Sequence, residues 1–310
     1  MSEKYQTILG GGGAIGEPLA RELTAYTDKI RIAARNPKKI NETDRVLKFD
    51  LLNKESTRAA VKGSEIVYLV AGLKYSAKVW QQQWGIVLEN VLSACKEEGA
   101  KLVFFDNVYS YGKVEGEMTE ETPLNPCSKK GEVRAKLNIR LNDEYTKGNL
   151  QAAVVKAADF YGPRVGSSLY NLLVLNNMVK GKKAMWMNNP AAIHSFTYTP
   201  DAAKATAMVG NTPDAYNQVW HAPTDTHKIT AEEMVRLTAG LLGVEPKIQV
   251  LGNAMLRLAG IFQPTVMEMV EMTYQTKYDY IFNSSKFMKA FNFSPTPYAA
   301  GIAACVDSAR

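Results

Sequence analysis

The sequence predicts an α/β fold, a doubly wound parallel sheet with a smaller C-terminal lobe. A glycine-rich turn joins an apolar strand pattern to a helical pattern near the start of the chain. Strand and helix patterns then alternate as far as residue 165, and beyond it the alternation loosens. Alternating strands and helices form a parallel sheet with helices on both faces, and ligands bind at the carboxyl ends of such strands.

The glycine-rich turn follows the apolar run from Tyr5 to Leu9, which is typical of a strand, and leads into an amphipathic helical pattern. Two registers fit residues 10–16: GxGxxG starting at Gly11 and GxxGxxG starting at Gly10. Glycines permit positive φ and a close approach of the backbone to a pyrophosphate, and a helix N-terminus adds free N–H groups. This context predicts a dinucleotide site made by Gly10, Gly13, Ala14, Ile15 and Gly16.

The second strand pattern ends in a basic turn, Arg35-Asn36-Pro37-Lys38-Lys39. An acidic residue at this place accepts the 2′-hydroxyl of the adenosine ribose of NAD, but here the place falls on Ala34 or Arg35. A guanidinium grips a 2′-phosphate with two hydrogen bonds. We therefore predict NADP as the cofactor, with NAD as the alternative. We expect Arg35 to be the main contact, beside Asn36 and with Lys38 or Lys39 helping. The other interpretation is a basic loop on a basic protein.

Later strands of the predicted sheet end in small or polar residues, which leave room for a bound cofactor. Their patterns cover residues 45–49, 65–70, 101–105 and 150–157. Further expected cofactor contacts, all directly after these strands or at the start of the following helix, are Asp50, Leu51, Ala71, Gly72, Leu73, Asn107, Lys130, Asp159 and Phe160. We expect a dinucleotide-binding, Rossmann-type domain over residues 1–165, with strands near 195–221 returning to it, and a mostly substrate-binding lobe over residues 166–310.

Composition excludes several classes of function. The chain has 310 residues, of which 46% are hydrophobic and 22% charged, and its net charge is +6. Lys and Arg are scattered, so we expect no nucleic-acid partner. Three widely spaced Cys and three unpaired His predict no metal site, and the Cys usage suits the cytoplasm. No long apolar span is present, so we expect no membrane partner and a small-molecule substrate.

The whole chain resembles the short-chain dehydrogenase/reductase superfamily, in particular its extended NAD-dependent epimerase/dehydratase branch and that branch's atypical relatives. The residues that carry the resemblance are GxxGxxG at 10–16, Arg35-Asn36-Pro37, Asp50-Leu51, Phe160-Tyr161-Gly162-Pro163 and His194 to Asp201. The resemblance implies an NAD(P)-dependent oxidoreductase or epimerase-like enzyme that acts on a small hydroxyl, carbonyl or sugar-type substrate. It also implies a homodimer formed through helices 78–98 and 129–147.

The catalytic pattern of the resembled family is altered here. That family has a Ser or Thr five residues before the Gly of a Tyr-Gly pair, and a Tyr-x-x-x-Lys pair on the next helix. In this chain Asn107 stands at the position of the Ser or Thr, Lys130 at that of the Tyr and Arg134 at that of the Lys. Asn107 can polarise a substrate oxygen, and a Lys130 whose pKa is lowered by a neighbouring cation can move a proton. The alternative is that both cations only bind the cofactor.

Other candidate site residues follow from position. Tyr109 and Tyr111 lie after the fifth strand as further catalytic candidates, and Tyr75, Tyr161 and His194 are substrate candidates. Nucleotide-sugar members of the resembled family carry Arg-Asp-Phe where this chain has His194-Ser195-Phe196, which weakens the case for a nucleotide-diphosphate sugar. Because the usual Tyr and Ser are missing, the alternative function is a non-catalytic NADP-binding sensor or regulatory protein.

Overall fold

The computed structural model describes residues 4–310. The strands in this part of the chain are β1 (Tyr5–Leu9), β2 (Ile30–Ala34), β3 (Arg45–Lys48), β4 (Ser64–Leu69), β5 (Lys101–Asn107), β6 (Glu117–Met118), β7 (Ala152–Ala157), β8 (Asp159–Tyr161), β9 (Ala184–Met187), β10 (Phe196–Tyr198), β11 (Gln218–His221), β12 (Ile248–Leu251) and β13 (Ile281–Phe282).

The α-helices in the same residues are α1 (Gly16–Leu23), α2 (Lys54–Val61), α3 (Ala77–Glu98), α4 (Lys129–Thr146), α5 (Asn176–Val179), α6 (Thr199–Gly210), α7 (Ala231–Leu242), α8 (Asn253–Phe262), α9 (Pro264–Val270), α10 (Tyr274–Lys277), α11 (Ser285–Phe291) and α12 (Tyr298–Ala309). Short 3-10 turns cover Tyr109–Tyr111 and Pro213–Ala215, and a π-helical turn covers Tyr170–Leu175. None of the helices described is both long and apolar enough to cross a membrane.

The chain divides into two compact units that alternate along the sequence. The first unit contains the described residues as far as Ser110, Lys130–Lys156 and Ala202–Trp220. The second contains Tyr111–Lys129, Ala157–Asp201 and His221–Arg310. This division differs from the expected boundary at residue 165, and of the strands expected to return only β11 joins the large sheet, while β10 pairs with β8. The sequence pattern predicts where each strand and helix lies, but it does not show where the chain passes from one unit to the other.

The first unit is built on a seven-stranded sheet with the order β11-β7-β5-β4-β1-β2-β3. The pairs β1–β2, β1–β4, β2–β3 and β4–β5 are parallel. The order runs outward in both directions from β1 and β4, so their carboxyl ends form the switch point where a doubly wound sheet binds ligands. This sheet confirms the predicted fold class.

The packing of the core explains why successive residues in the strands of the first unit are apolar and do not alternate with polar residues. Strand residues such as Leu9, Val67 and Phe104 are fully buried, and they share a cluster with side chains of α3 such as Trp84 and Val91. Strands covered by helices on both faces need apolar residues at successive positions. The same packing anchors the residues that follow each strand.

The second unit combines three parallel strand pairs, β8–β10, β9–β12 and β6–β13. Its buried cluster is rich in aromatic side chains, including Tyr161, Tyr170, Trp186 and Phe196. Helix α7 packs in the same cluster through residues such as Met234 and Val235, and the Thr230 side chain caps its N-terminus by accepting a hydrogen bond from the backbone N–H of Glu233.

Candidate active site

Two glycines of the turn after β1 are required by the packing of the turn itself. Gly10 has φ of +101°, and a Cβ there would lie 2.5 Å from the Cα of Ala71, directly after β4. A Cβ on Gly16 would lie 2.6 Å from the Cα of Gly11. Neither backbone can move away cheaply, so these positions exclude any side chain.

The middle of the same turn is open. A Cβ on Gly12 would meet nothing within 4 Å, and one on Gly13 would come no closer than 3.5 Å to the carbonyl oxygen of Gly10. Within residues 4–310, the N–H groups of Ala14 and Ile15 donate to no acceptor, and α1 begins without a side-chain cap. Exposed glycines beside unpaired N–H groups fit a bound pyrophosphate, whose oxygens accept those hydrogen bonds.

The basic turn after β2 holds cations that the protein itself does not use. Arg35, Asn36 and Lys38 are exposed, and in the described residues neither Arg35 nor Lys38 makes an ion pair or a hydrogen bond through its side chain. Lys39 differs, because its Nζ donates to the carbonyl oxygen of Glu42 at 3.0 Å. Two of the three cations of this turn are therefore available to an anionic ligand.

The remaining expected cofactor contacts of the first unit lie at strand ends. Asp50 is exposed, and its Oδ1 accepts a hydrogen bond from the N–H of Leu52 at 3.0 Å. Leu51, Ala71 and Leu73 are half-buried against the core cluster, and Gly72 is exposed. These residues present short side chains or backbone, which suits contacts to a flat ring or a ribose.

Asn107 ends β5 with its amide in a defined orientation. The side-chain oxygen of Asn107 accepts a hydrogen bond from the N–H of Tyr109 at 3.0 Å, and only the oxygen of an amide can accept. The two hydrogens on Nδ2 have no partner among the described residues. Tyr109 itself stacks on Trp80, with ring centroids 6.2 Å apart. Asn107 thus offers a free donor, as polarisation of a substrate oxygen requires.

Lys130 and Tyr75, predicted separately, lie together. The Lys130 ammonium is 4.6 Å from the centroid of the Tyr75 ring, and the lysine is 0% exposed. Tyr75 in turn meets Trp80 edge to face, at 5.9 Å between centroids. A cation over an aromatic face is stabilised by the ring quadrupole.

Arg134 is directed into the core, in contrast to its expected place as a charged neighbour of Lys130. Its side chain is 6% exposed, and its Nη1 lies 3.3 Å from Oδ1 of Asp106. Its guanidinium carbon lies 4.1 Å from the Trp84 ring centroid and 4.7 Å from that of Trp80. The charge of Arg134 thus faces the Asp106 carboxylate, which weakens the argument that this charge acts on Lys130.

Asp106 and Lys156 form a buried ion pair, a contact that the sequence analysis did not predict. Nζ of Lys156 lies 2.9 Å from Oδ2 of Asp106, and Nδ2 of Asn138 lies 2.6 Å from the same oxygen. Burial raises the pKa of Asp106, but the charges of Lys156 and Arg134 and the Asn138 hydrogen bond outweigh it, so the pKa stays below its ordinary value. A lysine inside the otherwise apolar β7 is the signal that points to this pair.

Tyr111 belongs to the second unit and is engaged by a buried histidine. The hydroxyl of Tyr111 lies 2.9 Å from Nε2 of His221, and Nδ1 of His221 lies 2.7 Å from the carbonyl oxygen of Asn283. A carbonyl only accepts, so Nδ1 carries the hydrogen; in the neutral ring Nε2 is then the acceptor and the Tyr111 hydroxyl donates to it. Tyr111 is 1% exposed and packs in the interior, in contrast to its expected catalytic role.

Tyr161 is likewise a core residue, in contrast to its expected contact with substrate. It is 1% exposed among the rings of Tyr170, Phe196, Tyr198 and Tyr298. Its hydroxyl is buried without a hydrogen-bond partner in the described part of the chain, and burial raises its pKa. Position after β7 suggested a site residue, but the side chain packs into the aromatic cluster of the second unit.

His194 and Asp159 form a pair in the second unit. Nε2 of His194 lies 2.9 Å from Oδ2 of Asp159, and its Nδ1 lies 3.1 Å from the carbonyl oxygen of Gln275. Both ring nitrogens of His194 thus face oxygen atoms of the same unit. The side chain of Asp159 is 13% exposed, and the half-buried Phe160 follows it in β8.

The predicted site residues therefore fall into two groups. Those that belong to the first unit are the glycine turn, the basic turn, Asn107, Tyr109, Lys130 and Arg134. Those that belong to the second unit are Tyr111, Asp159, Phe160, Tyr161 and His194. Among residues 4–310, no cluster of three or more His, Cys, Asp or Glu side chains has the arrangement of a metal site.

Comparison with known proteins agrees with this geometry. The sequence model of the NAD dependent epimerase/dehydratase family matches residues 7–221. No curated protein sequence is a significant match to the chain.

Solved structures resemble the chain over nearly its whole length. UDP-glucose 4-epimerase from Thermus thermophilus, in complex with NAD, has a TM-score of 0.79 at 19% identity, covering 98% of each chain. UDP-glucuronic acid 4-epimerase from Bacillus cereus, with UDP-glucuronic acid and NAD, has a TM-score of 0.81 at 17% identity, also covering 98% of each chain. dTDP-glucose 4,6-dehydratase from Bacillus anthracis, with NAD, has a TM-score of 0.80 at 17% identity, covering 99% of this chain and 96% of that one.

Proposed function

Since the chain belongs to the NAD-dependent epimerase/dehydratase family and is an NAD(P)-dependent enzyme of that class, we propose that it prefers NADP and acts on a small hydroxyl, carbonyl or sugar-type compound. The similar structures are epimerases and a dehydratase that carry NAD. Nothing in these comparisons supports the alternative of a non-catalytic sensor.

The basic turn after β2 is the observation that carries the cofactor preference. Arg35 and Lys38 are exposed at a strand end where a 2′-phosphate would lie, and a carboxylate, which would repel that phosphate, is absent from residues 34–39. Arg35 has no competing partner in the described residues, so its planar fork is available for a bidentate contact. The free N–H groups of Ala14 and Ile15 would hold the pyrophosphate.

The proposed chemistry uses two side chains of the first unit. A bound nicotinamide supplies or accepts a hydride. The free Nδ2 of Asn107 would donate to the substrate oxygen and stabilise negative charge that develops there. Lys130, held against the Tyr75 ring, would give a proton to that oxygen or take one from it.

The Asp159–His194 pair supports a substrate of the hydroxyl type. Both ring nitrogens of His194 are occupied by oxygen atoms of the same unit, so His194 offers no free donor to a diphosphate. The second oxygen of the Asp159 carboxylate accepts no hydrogen bond in the described residues. It would accept one from a hydroxyl group and repel a phosphate.

Two further parts of the proposal concern assembly and location. Exposed apolar side chains on α3 and α4, Ile86 at 50% and Ile139 at 60%, support a homodimer through these helices. The free thiols of Cys95, Cys127 and Cys305 support a reducing, cytoplasmic setting.

The test of this function is a fluorescence titration with NADPH and with NADH. We expect NADPH to bind more tightly, and Arg35→Ala to reduce the NADPH affinity about 10- to 100-fold while NADH affinity stays nearly unchanged, because only the 2′-phosphate contact is lost. Lys39→Ala is the matched control, since Lys39 already donates to Glu42, and it should leave the ratio of the two affinities as it is. An unchanged ratio in Arg35→Ala contradicts the cofactor preference, and no binding of either dinucleotide contradicts the function.

A further inference from the structure

A buried polar cluster lies next to Asn107 at the end of β5. The carboxylate of Asp106 is fully buried and is approached by Lys156 at 2.9 Å, by Asn138 at 2.6 Å and by Arg134 at 3.3 Å. Each of these partners is itself buried. Lys156 and Asn138 donate hydrogen bonds to Oδ2, whereas Arg134 faces Oδ1 as a charge without a hydrogen bond in the described part of the chain. Removal of the carboxylate would leave two buried cations without their counter-charge. The cluster therefore has one favourable arrangement.

Lys156 connects this cluster to the backbone of the proposed site. Its Nζ lies 3.4 Å from the carbonyl oxygen of Asn107 and 3.1 Å from Oγ of Ser110. The 3-10 turn that contains Ser110 begins at Tyr109, whose N–H holds the Asn107 side-chain oxygen. The ammonium thus contacts both sides of the hydrogen bond that orients the Asn107 amide, at the main-chain carbonyl of Asn107 and at the side chain of Ser110.

Arg134 connects the same cluster to the aromatic side chains around Lys130. Its guanidinium packs over the rings of Trp80 and Trp84. Trp80 contacts Tyr109 in a stacked geometry and Tyr75 edge to face, and Tyr75 carries the Lys130 ammonium on its ring. A guanidinium held between a carboxylate and two indoles determines the orientation of those indoles.

We propose that Asp106, Arg134 and Lys156 are positioning residues that do not touch the dinucleotide. They orient the Asn107 amide and the aromatic rings around Lys130. This inference rests on the proposed function, in which Asn107 and Lys130 act on the substrate oxygen. It gives Arg134 a positioning role in the interior of the first unit. The sequence pattern had instead suggested that Arg134 acts together with Lys130 as a reacting pair. The charge of Arg134 acts on Asp106 and on Trp80, and through them on the two reacting side chains.

The first experiment follows the Asn107 side chain directly. In protein labelled with 15N at asparagine, the Asn107 side-chain amide resonances are identified by their absence in Asn107→Ala. Lys156→Met keeps the buried stem and removes the ammonium, and we expect the Asn107 resonances to shift or broaden. Ser110→Ala, which removes only a hydroxyl, should cause a smaller shift and covers the case in which Lys156→Met fails to fold. Resonances unchanged in both variants would overturn the proposed role of Lys156.

The second experiment separates positioning by Arg134 from contact with the cofactor. Arg134→Lys keeps the charge but loses the planar stack, so we expect altered tryptophan emission and altered Asn107 resonances, with NADPH affinity within about twofold of the unmodified protein. Arg140→Lys, on the same helix but paired at the surface with Glu89, should change none of the three readouts. A loss of NADPH affinity of roughly tenfold with unaltered emission would mean that Arg134 touches the dinucleotide, and would overturn the proposal.

The results that would contradict the positioning role differ from the results that would contradict the proposed function. If the unmodified protein binds neither NADPH nor NADH, the function itself is wrong, whereas the Asn107 resonances and tryptophan emission still report on the cluster. If NADPH binds and neither variant alters the Asn107 amide, the function stands and the positioning role is wrong.

Discussion

At the scale of single residues, Tyr161 has a buried hydroxyl that makes no hydrogen bond in residues 4–310. A buried hydroxyl without a partner costs about 1–3 kcal/mol. Tyr161→Phe removes that group and leaves the ring packing intact, so we expect the free energy of unfolding to stay the same or to rise. Urea unfolding monitored by circular dichroism measures this change.

Tyr111→Phe is the matched comparison for Tyr161→Phe. Its hydroxyl donates to His221 in an equally buried place, so its removal leaves an imidazole nitrogen unsatisfied and should lower stability by about 1 kcal/mol or more. Equal losses in both variants would mean that the Tyr161 hydroxyl has a partner, and that its interpretation as a purely apolar contact is wrong.

At the scale of elements, the turn between β1 and α1 separates glycines needed for packing from glycines that leave space for a ligand. A Cβ at Gly16 meets backbone at 2.6 Å, so Gly16→Ala should cost about 1–3 kcal/mol of stability. A Cβ at Gly13 meets only the Gly10 carbonyl oxygen, at 3.5 Å, an ordinary contact distance. Gly13→Ala should therefore fold normally and bind NADPH more weakly, because the added methyl group occupies the space of the pyrophosphate.

Thermal unfolding and NADPH titration of both glycine variants check this distinction. Gly12→Ala is the control for stability, since a Cβ there meets nothing within 4 Å. If Gly13→Ala binds NADPH as well as the unmodified protein, the pyrophosphate does not lie against Gly13. If Gly16→Ala loses no stability, the turn can move to make room for the added methyl group, and the contact with the backbone does not exclude a side chain at this position.

At the scale of the whole molecule, the buried cluster makes stability depend on pH. The pKa of Asp106 in the folded protein lies below its ordinary value, since the charges of Lys156 and Arg134 outweigh the effect of burial. The folded state therefore binds the carboxyl proton less tightly than the unfolded state, in which the pKa is about 3.9. This stabilisation is fully present above the unfolded pKa and is lost as pH falls through the folded pKa.

Lys156 adds a contribution of the same direction in a different pH range. Burial lowers the pKa of Lys156, so between this lowered pKa and the unfolded value of about 10.4 the unfolded state binds more protons. Stability again rises with pH there. Both groups therefore predict a protein that is more sensitive to acid than to mild base.

Urea midpoints between pH 7 and pH 2 measure the acid contribution, in the unmodified protein and in Asp106→Asn. We expect the variant to be less stable at pH 7 and the difference between the two proteins to shrink as the pH falls, because protonation removes the same charge that the substitution removes. Glu89→Gln, at an exposed ion pair, is a control that should show little change at any pH. A constant difference across the range would mean that ionisation of Asp106 does not contribute.

Local sequence was sufficient for the class of the fold and for the glycine turn. Strand β1 has the predicted bounds, the glycine turn lies at the carboxyl end of β1 as predicted, and Arg35 follows β2 as expected. These features depend on neighbours within a few residues, where periodicity and backbone freedom act directly. The family model and the similar structures confirm this fold and the class of enzyme.

The tertiary structure alone decided which candidate side chains are available. The partner of Tyr111 lies 110 residues away at His221, and that of Asp106 lies 50 residues away at Lys156. Spacing along the chain identified Lys130 and Arg134 as a pair, but Arg134 turns to a carboxylate and two indoles that come from other elements. A motif determines where a side chain starts along the chain, whereas the fold decides which charges and rings surround it, because those neighbours come from distant parts of the sequence.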